Sequence, residues 1–149
     1  GLVFRAPKPK DILIAANDEQ YVEMSGYHAS EHVLIEGSVL ATGGASQDLG
    51  GISLGSSGLV FIYDGSIGGN GASRALYDKF DKAVRRAFRI LSECPCESES
   101  GCPRCTYSYR CGNNNEYLDK HAAIEVVNRI IDGERTKIGE MLSVDRPLV

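Results

Sequence analysis

The chain has 149 residues, 42% of them hydrophobic, and a formal net charge of −4. That length and apolar content suit one domain with a sizeable core, and no apolar run approaches the ~18 residues a membrane span needs. The acidic balance speaks against a dedicated nucleic-acid binder, and no targeting segment is visible.

Leu2-Val3-Phe4 is a short strand candidate closed off by Pro7 and Pro9, and Ile12 to Ala16 reads as a second strand or a helix start. From Glu19 to Ala41 the pattern is helical, with Tyr21, Val22, Ala29, Val33 and Leu40 recurring at threes and fours. Gly26 and Gly37 interrupt it and mark breaks or close packing, and Gly43-Gly44 ends it. Asp48-Leu49-Gly50-Gly51 is a turn signal. Leu59 to Tyr63 is the best strand, continuous and apolar, and therefore expected at the centre of a sheet. A glycine loop, Gly65 to Gly71, follows Asp64. It lacks the Lys-Ser/Thr of a P-loop and the spacing of a dinucleotide fingerprint, so it reads as a tight strand-to-helix turn.

Residues 72–92 predict a long helix with Leu76, Phe80, Ala83/Val84, Ala87 and Leu91 inward. Tyr117 to Asp132 predicts another, with Leu118, Ala122, Val126/Val127 and Ile130/Ile131 inward, Asn114 or Asn115 capping its start and Gly133 its end. Residues 134–149 are polar and read as a short helix plus tail. The fold class is α/β: a small sheet packed with about three main helices plus a cysteine-rich knuckle. Residues 1–149 read as a single domain, a fragment of a larger protein because the chain does not begin with Met.

All five cysteines fall within one stretch, Cys94-Pro95-Cys96 and Cys102-Pro103-Arg104-Cys105 followed by Cys111. C-x-C and C-x2-C spacings let one short backbone turn present two sulfurs to one tetrahedral ion. The stretch is rich in Pro, Gly, Ser and Glu and cannot fold on hydrophobic burial. Bound zinc would supply the missing stabilisation, of order ~10 kcal/mol. A disulfide set fits poorly, because the count is odd and Cys94 and Cys96 are too close to pair. An iron–sulfur cluster is the other rival, since four thiolates suit it too. The expected ligands are Cys94, Cys96, Cys102 and Cys105, two tight chelating pairs. The alternative set takes Cys111 in place of Cys94. Either way the site is closed and structural, and reduced thiols point to the cytoplasm.

Two further patterns stand out. His28-Ala29-Ser30-Glu31-His32 fits H-x-x-E-H, a metallopeptidase pattern in which two histidines bind a catalytic zinc and the glutamate polarises water. Its bland reading is a buried helix with hydrogen-bonded histidines. Charge is uneven as well: Arg74, Lys79, Lys82, Arg85, Arg86 and Arg89 make residues 73–92 a basic island. Lys79, Lys82, Arg86 and Arg89 line one face. With Arg104 they form a candidate nucleic-acid surface contacting phosphates, or else an ordinary solvated stripe. Tyr107 and Tyr109 alternate with Arg104 and Arg110 and can stack on bases or pack the knuckle.

The order of these pieces resembles a known family. H-x-x-E-H-x-L (His28, Glu31, His32, Leu34) is followed by D-x-G-G (Asp48, Gly50, Gly51) and F-I-Y-D (Phe61 to Asp64). Then come G-G-x-G (Gly68, Gly69, Gly71), the five cysteines, and C-G-N-x-N-x-x-L-D-K, ending in Leu118, Asp119 and Lys120. Together these look like the MrfA-type zinc-binding domain found at the C-terminus of superfamily 2 DNA repair helicases. The resemblance implies a cytoplasmic, ATP-dependent 3′-to-5′ DNA helicase as the parent protein, with the cysteines binding zinc. It implies the motor domains and single-stranded or forked DNA as partners, and it makes the H-x-x-E-H match part of the family's helix. Neither a Walker A nor a DExH motif is present, so this chain alone should not hydrolyse ATP. The spacing from Cys96 to Cys102 is slightly long for the family and inserts an acidic loop, Glu97 to Ser100. A docking module that binds protein and not DNA is the alternative function.

Overall fold

The computed structural model describes residues 1–9, 19–65, 71–108, 111, 115–132 and 142–143. Strands β1 (Leu2–Arg5), β2 (Leu49–Ser53), β3 (Leu59–Asp64) and β4 (Leu142–Ser143) form an antiparallel sheet of order β2-β3-β1-β4. The helices are α1 (Glu19–Thr42), α2 (Ala72–Asp78), α3 (Phe80–Glu93) and α4 (Lys120–Asp132). The α/β class, the small sheet and the three long helices agree with the sequence reading; the helix expected over 72–92 breaks at Lys79 into α2 and α3. Lys79 leaves the helical region (φ −117°, ψ 30°), yet its N–H still bonds the Ala75 and Leu76 carbonyls, so the inward stripe continues across the break. Leu76, Phe80, Ala83, Val84, Ala87 and Leu91 are all buried.

α1 is the axis of the molecule. Residues 25–34 are buried at every position, including Ser25, His28, Ser30, Glu31 and His32. A helix covered on all sides carries no clear apolar stripe. Towards the ends of α1, Tyr21 and Leu40, which apolar spacing grouped with Ala29 and Val33, are 52% and 58% exposed. Close packing on α1 depends on its two internal glycines. A Cβ at Gly26 would lie 2.6 Å from the Ala122 Cβ on α4, and one at Gly37 would lie 2.4 Å from the Ala83 carbonyl oxygen on α3. Neither glycine breaks the helix; both let a neighbour approach.

β3 is internal to the sheet as expected, but only one of its faces is covered. Val60 and Ile62 are fully buried, while Phe61 and Tyr63 are 37% and 45% exposed. Phe4 of β1 meets Phe80 of α3 edge to face, with ring centroids 5.2 Å apart, joining sheet to helices. β2 corrects the turn expected at Asp48 to Gly51. The turn is a 3-10 segment at Ser46–Asp48, and Leu49-Gly50-Gly51 is already strand. The glycines fit there because the Tyr63 ring covers Gly50 and the Glu31 carboxylate covers Gly51.

α4 starts three residues later than expected and is capped by Asp119, whose Oδ1 accepts the Ala122 N–H at 2.8 Å. Asn115 instead accepts the Ser108 N–H at 2.7 Å, while Asn114 and Gly133 lie outside the described residues. Asp64 closes the described end of the glycine loop by accepting the N–H groups of Gly71 and Ser73 at 3.4 and 2.8 Å. The strand or helix start expected at Ile12 to Ala16 and most of the glycine loop lie outside the described residues. So does the 134–149 tail, apart from the two residues of β4.

Candidate metal centre

α3 ends at Glu93, and Cys94 turns into extended backbone (φ −70°, ψ 122°). This brings Cys94 and Cys96 across from the turn made by Cys102 to Cys105. The turn is tight: the Cys102 carbonyl accepts N–H groups from Cys105, Thr106 and Tyr107 at 3.0, 3.2 and 3.2 Å. The sulfurs of Cys94 and Cys102 are 3.4 Å apart, those of Cys96 and Cys105 3.8 Å, and those of Cys102 and Cys105 3.9 Å. Four thiolates at about 2.3 Å from one zinc stand about 3.8 Å from each other at tetrahedral angles. The protein thus presents the edges of a single-ion tetrahedron. A multi-iron cluster would spread its thiolates more widely. All five cysteines are free of disulfides.

Other groups serve the sulfurs. The backbone N–H groups of Cys102 and Arg104 point at the Cys105 and Cys102 sulfurs, each at 3.4 Å. The buried Lys120 donates to the Cys94 and Cys96 carbonyls at 3.1 and 3.0 Å and to the Cys96 sulfur at 3.3 Å. Burial works against its charge, but the Cys96 thiol and the pull of Cys105 and Cys94 outweigh that, and its pKa is raised. Around Cys102, burial opposes the thiolate, but the Arg104 N–H and the neighbouring thiols of Cys94, Cys96 and Cys105 win, so its pKa falls. Burial, opposed by the Cys102 N–H and reinforced by the side chains of Cys96, Cys94 and Cys102, pushes Cys105 up. All four must be thiolates to hold an ion, and bound metal is what would draw their protons away. The acidic loop also has a structural task, since the Glu99 carbonyl accepts the Lys120 N–H at 2.8 Å and ties the loop to the start of α4.

The fifth cysteine sits elsewhere. The Cys111 sulfur lies 3.5 Å from His28 Nε2, away from the other four. His28 and His32 share one face of α1, as their spacing requires. Glu31 is engaged with β2, where the Ser53 N–H donates to its carboxylate; burial nonetheless raises its pKa to about 7. Burial, opposed by the Thr106 carbonyl and reinforced by His28, lowers the pKa of His32 to about 4, so its imidazole is neutral at pH 7. Sequence reasoning missed both Lys120 as a partner of the sulfurs and the meeting of Cys111 with the histidines. The leftover fifth thiol was the available signal for the second.

The basic residues divide into two groups. Arg86, Arg89 and Arg104 border one shallow groove of about 340 Å³, together with Leu40, Glu93 and Pro95. Arg89 and Arg104 are exposed and Arg86 half-buried; Arg89 also pairs with Glu93 at 3.3 Å on the helix surface. Lys79 and Lys82 are exposed nearer the start of α3, outside that groove. Tyr107 is at the surface, while Tyr109 and Arg110 lie outside the described residues. No helix among the described residues is long and apolar enough to cross a membrane.

The fold is similar to part of a solved structure, the crystal structure of the DUF1998 helicase MrfA bound to DNA. The TM-score is 0.57 at 19% identity, covering 80% of this chain and 15% of that one. The uncharacterized protein MJ1572.1 of Methanocaldococcus jannaschii is 35% identical over 112 residues, which is 70% of this chain and 98% of that protein. The sequence profile of the MrfA Zn-binding domain matches residues 30–106, a span that holds all four clustered cysteines. Their geometry fits a structural zinc, and the chain belongs to the MrfA Zn-binding domain family.

Proposed function

We infer that this chain is an accessory domain of an ATP-dependent DNA helicase acting in DNA repair with 3′-to-5′ polarity, in the cytoplasm. Its zinc is held by Cys94, Cys96, Cys102 and Cys105, and its role is to help the motor hold or separate DNA. It carries no ATPase motif and is expected to hydrolyse no ATP itself. The observation that carries this reading is the groove in which Arg86 and Arg89 of α3 meet Arg104 of the Cys102–Cys105 turn. Arg104 stands between two of the clustered sulfurs, so the ion that fixes the turn also fixes a cation beside a basic helix. Arginine and lysine on such a ridge bind phosphates without regard to sequence. Lys82 in the first turn of α3 and Lys79 just before it are exposed outside the groove and would add further phosphate contacts.

The test is fluorescence anisotropy with single-stranded and forked oligonucleotides over a salt series. Replacing Lys82, Arg86, Arg89 and Arg104 by Glu should weaken binding and flatten the salt dependence by about 0.7 log units per lost single-strand contact. Unchanged affinity and slope would remove DNA as the partner of this face. In a parallel preparation, Cys102→Ser should abolish stoichiometric zinc and lower the melting temperature; unchanged zinc content would refute the ligand set.

A second reading, a docking module for the motor or another protein, draws on one observation. The Methanocaldococcus relative is matched over 98% of its own length, so there the same domain stands with little else attached. Tight binding to a helicase core without DNA affinity would favour it.

A further inference from the structure

We propose that His28, His32 and Cys111 form a second metal site, separate from the four-cysteine centre and suited to a divalent zinc-class ion. The two histidines lie one helical turn apart on α1, with ring centroids 4.5 Å apart and planes at 66°. Each ring is oriented by a backbone carbonyl: His28 Nδ1 faces the Tyr117 oxygen at 3.0 Å, and His32 Nδ1 faces the Thr106 oxygen at 2.7 Å. A carbonyl offers no proton, so each Nδ1 is the donor. In the neutral ring this leaves Nε2 with a lone pair free to ligate. This is the arrangement by which ligating histidines are held in the correct tautomer.

Cys111 arrives beside the two rings. Its sulfur is 3.5 Å from His28 Nε2, and one ligand atom from each of the three residues lies within 4.8 Å of the others. A tetrahedral ion with metal–nitrogen bonds near 2.0 Å and metal–sulfur bonds near 2.3 Å separates the two atoms by about 3.5 Å. A thiol proton, by contrast, can satisfy only one of two buried imidazole lone pairs, and an ion satisfies both. The Tyr117 carbonyl reaches His28 from a backbone held in the left-handed region (φ 57°), which a bulky residue rarely adopts.

Three protein ligands leave one position for water or a small ligand. The residues open onto a cavity of about 810 Å³ that Glu31, Tyr63 and Tyr117 also line. The four-cysteine centre is closed; this one is not. The two are joined through a single peptide, since Cys105 gives a sulfur to one and the next residue, Thr106, gives its carbonyl to His32.

The experiment is a cobalt(II) titration of the reduced apoprotein, followed by absorption, with zinc counted by elemental analysis. The wild-type chain should take up two equivalents. One should carry four thiolates' worth of charge-transfer absorption and the other close to a quarter of it. His28→Gln/His32→Gln and, separately, Cys111→Ser should lose only the weaker-absorbing equivalent and keep the four-thiolate spectrum. Wild-type protein that saturates at one equivalent in excess metal overturns the proposal, whatever the variants do. So does a second equivalent that survives both sets of substitutions. Because the four-thiolate spectrum is read in the same titration, failure of this site is distinguishable from failure of the cysteine centre.

Discussion

Replacing Lys120 by Met tests how far the zinc centre depends on its surroundings. The aliphatic stem stays and the ammonium goes. Three donor contacts go with it: 3.1 and 3.0 Å to the carbonyls of Cys94 and Cys96, and 3.3 Å to the Cys96 sulfur. The first two hold the C-x-C segment in the shape that presents both thiols; the third offsets charge on a ligand. Four thiolates around a divalent ion leave about two net negative charges, and a buried cation in contact with one sulfur opposes them. Outer partners of this kind typically change metal affinity by about 10–100-fold, or about 1.4–2.7 kcal/mol. Zinc affinity, measured by competition with a chromophoric chelator at fixed pH, should weaken by that factor. The loss should persist at high salt, because the contact is buried and poorly screened. Thermal unfolding should show the holo form losing more than the apo form. An affinity within twofold of wild type, or equal losses in both forms, would show that Lys120 merely packs.

Packing around α1 gives a second test. Gly37→Ala should lower stability by about 1–3 kcal/mol despite alanine's better helix propensity, because the new Cβ meets the Ala83 carbonyl oxygen at 2.4 Å and backbone cannot yield. Gly26→Ala should destabilise comparably, and adding Ala122→Gly should recover most of it, since the main clash is Cβ against Cβ at 2.6 Å. A double variant as weak as the single one in a denaturant melt would contradict this contact. Acid titration probes Asp64. Burial opposes its charged form, but the N–H and hydroxyl of Ser73 and the N–H of Gly71 outweigh that, so its folded pKa is lowered. A lowered carboxylate pKa contributes stability above the unfolded value, near 3.9, and loses it as pH falls through the folded value. Asp64→Asn should therefore cost about 1 kcal/mol or less at neutral pH and nothing in strong acid. A difference independent of pH would mean that the charge is not what matters.

Legibility followed physical cause. The inward stripes of α3 and α4 were readable because each helix has one wet face and one dry face, and periodicity records that contrast. α1 has no such contrast over residues 25–34, and Tyr21 and Leu40, beyond either end of that stretch, are exposed although apolar spacing grouped them with Ala29 and Val33. β2 was hidden because Gly50 and Gly51 are turn formers in sequence, while in space they are the only residues that fit under the Tyr63 ring and the Glu31 carboxylate. The two chelating cysteine pairs were legible because the chemistry within each is local: one or two intervening residues bring its sulfurs to the same side. Cys111 and Lys120 were not, because their partners lie 83 and up to 26 residues away.

That contrast explains how a domain can be built around a polar helix. Burying His28, Ser30, Glu31 and His32 in one segment is costly unless each polar group is matched. The matches for the two histidines come from the segment the cysteines organise: Thr106 follows Cys105, and Tyr117 lies three residues before Lys120, which grips Cys94 and Cys96. Serine satisfies itself locally at Ser30, through the Gly26 carbonyl at 2.7 Å, and Glu31 takes its partner from β2. Removing metal from the cysteines therefore loosens more than a surface loop. It should release the Tyr117 and Thr106 carbonyls that hold the imidazoles. The centre is continuous with the core: Cys105 is buried within it, and Cys94, Cys96 and Cys102 pack against it.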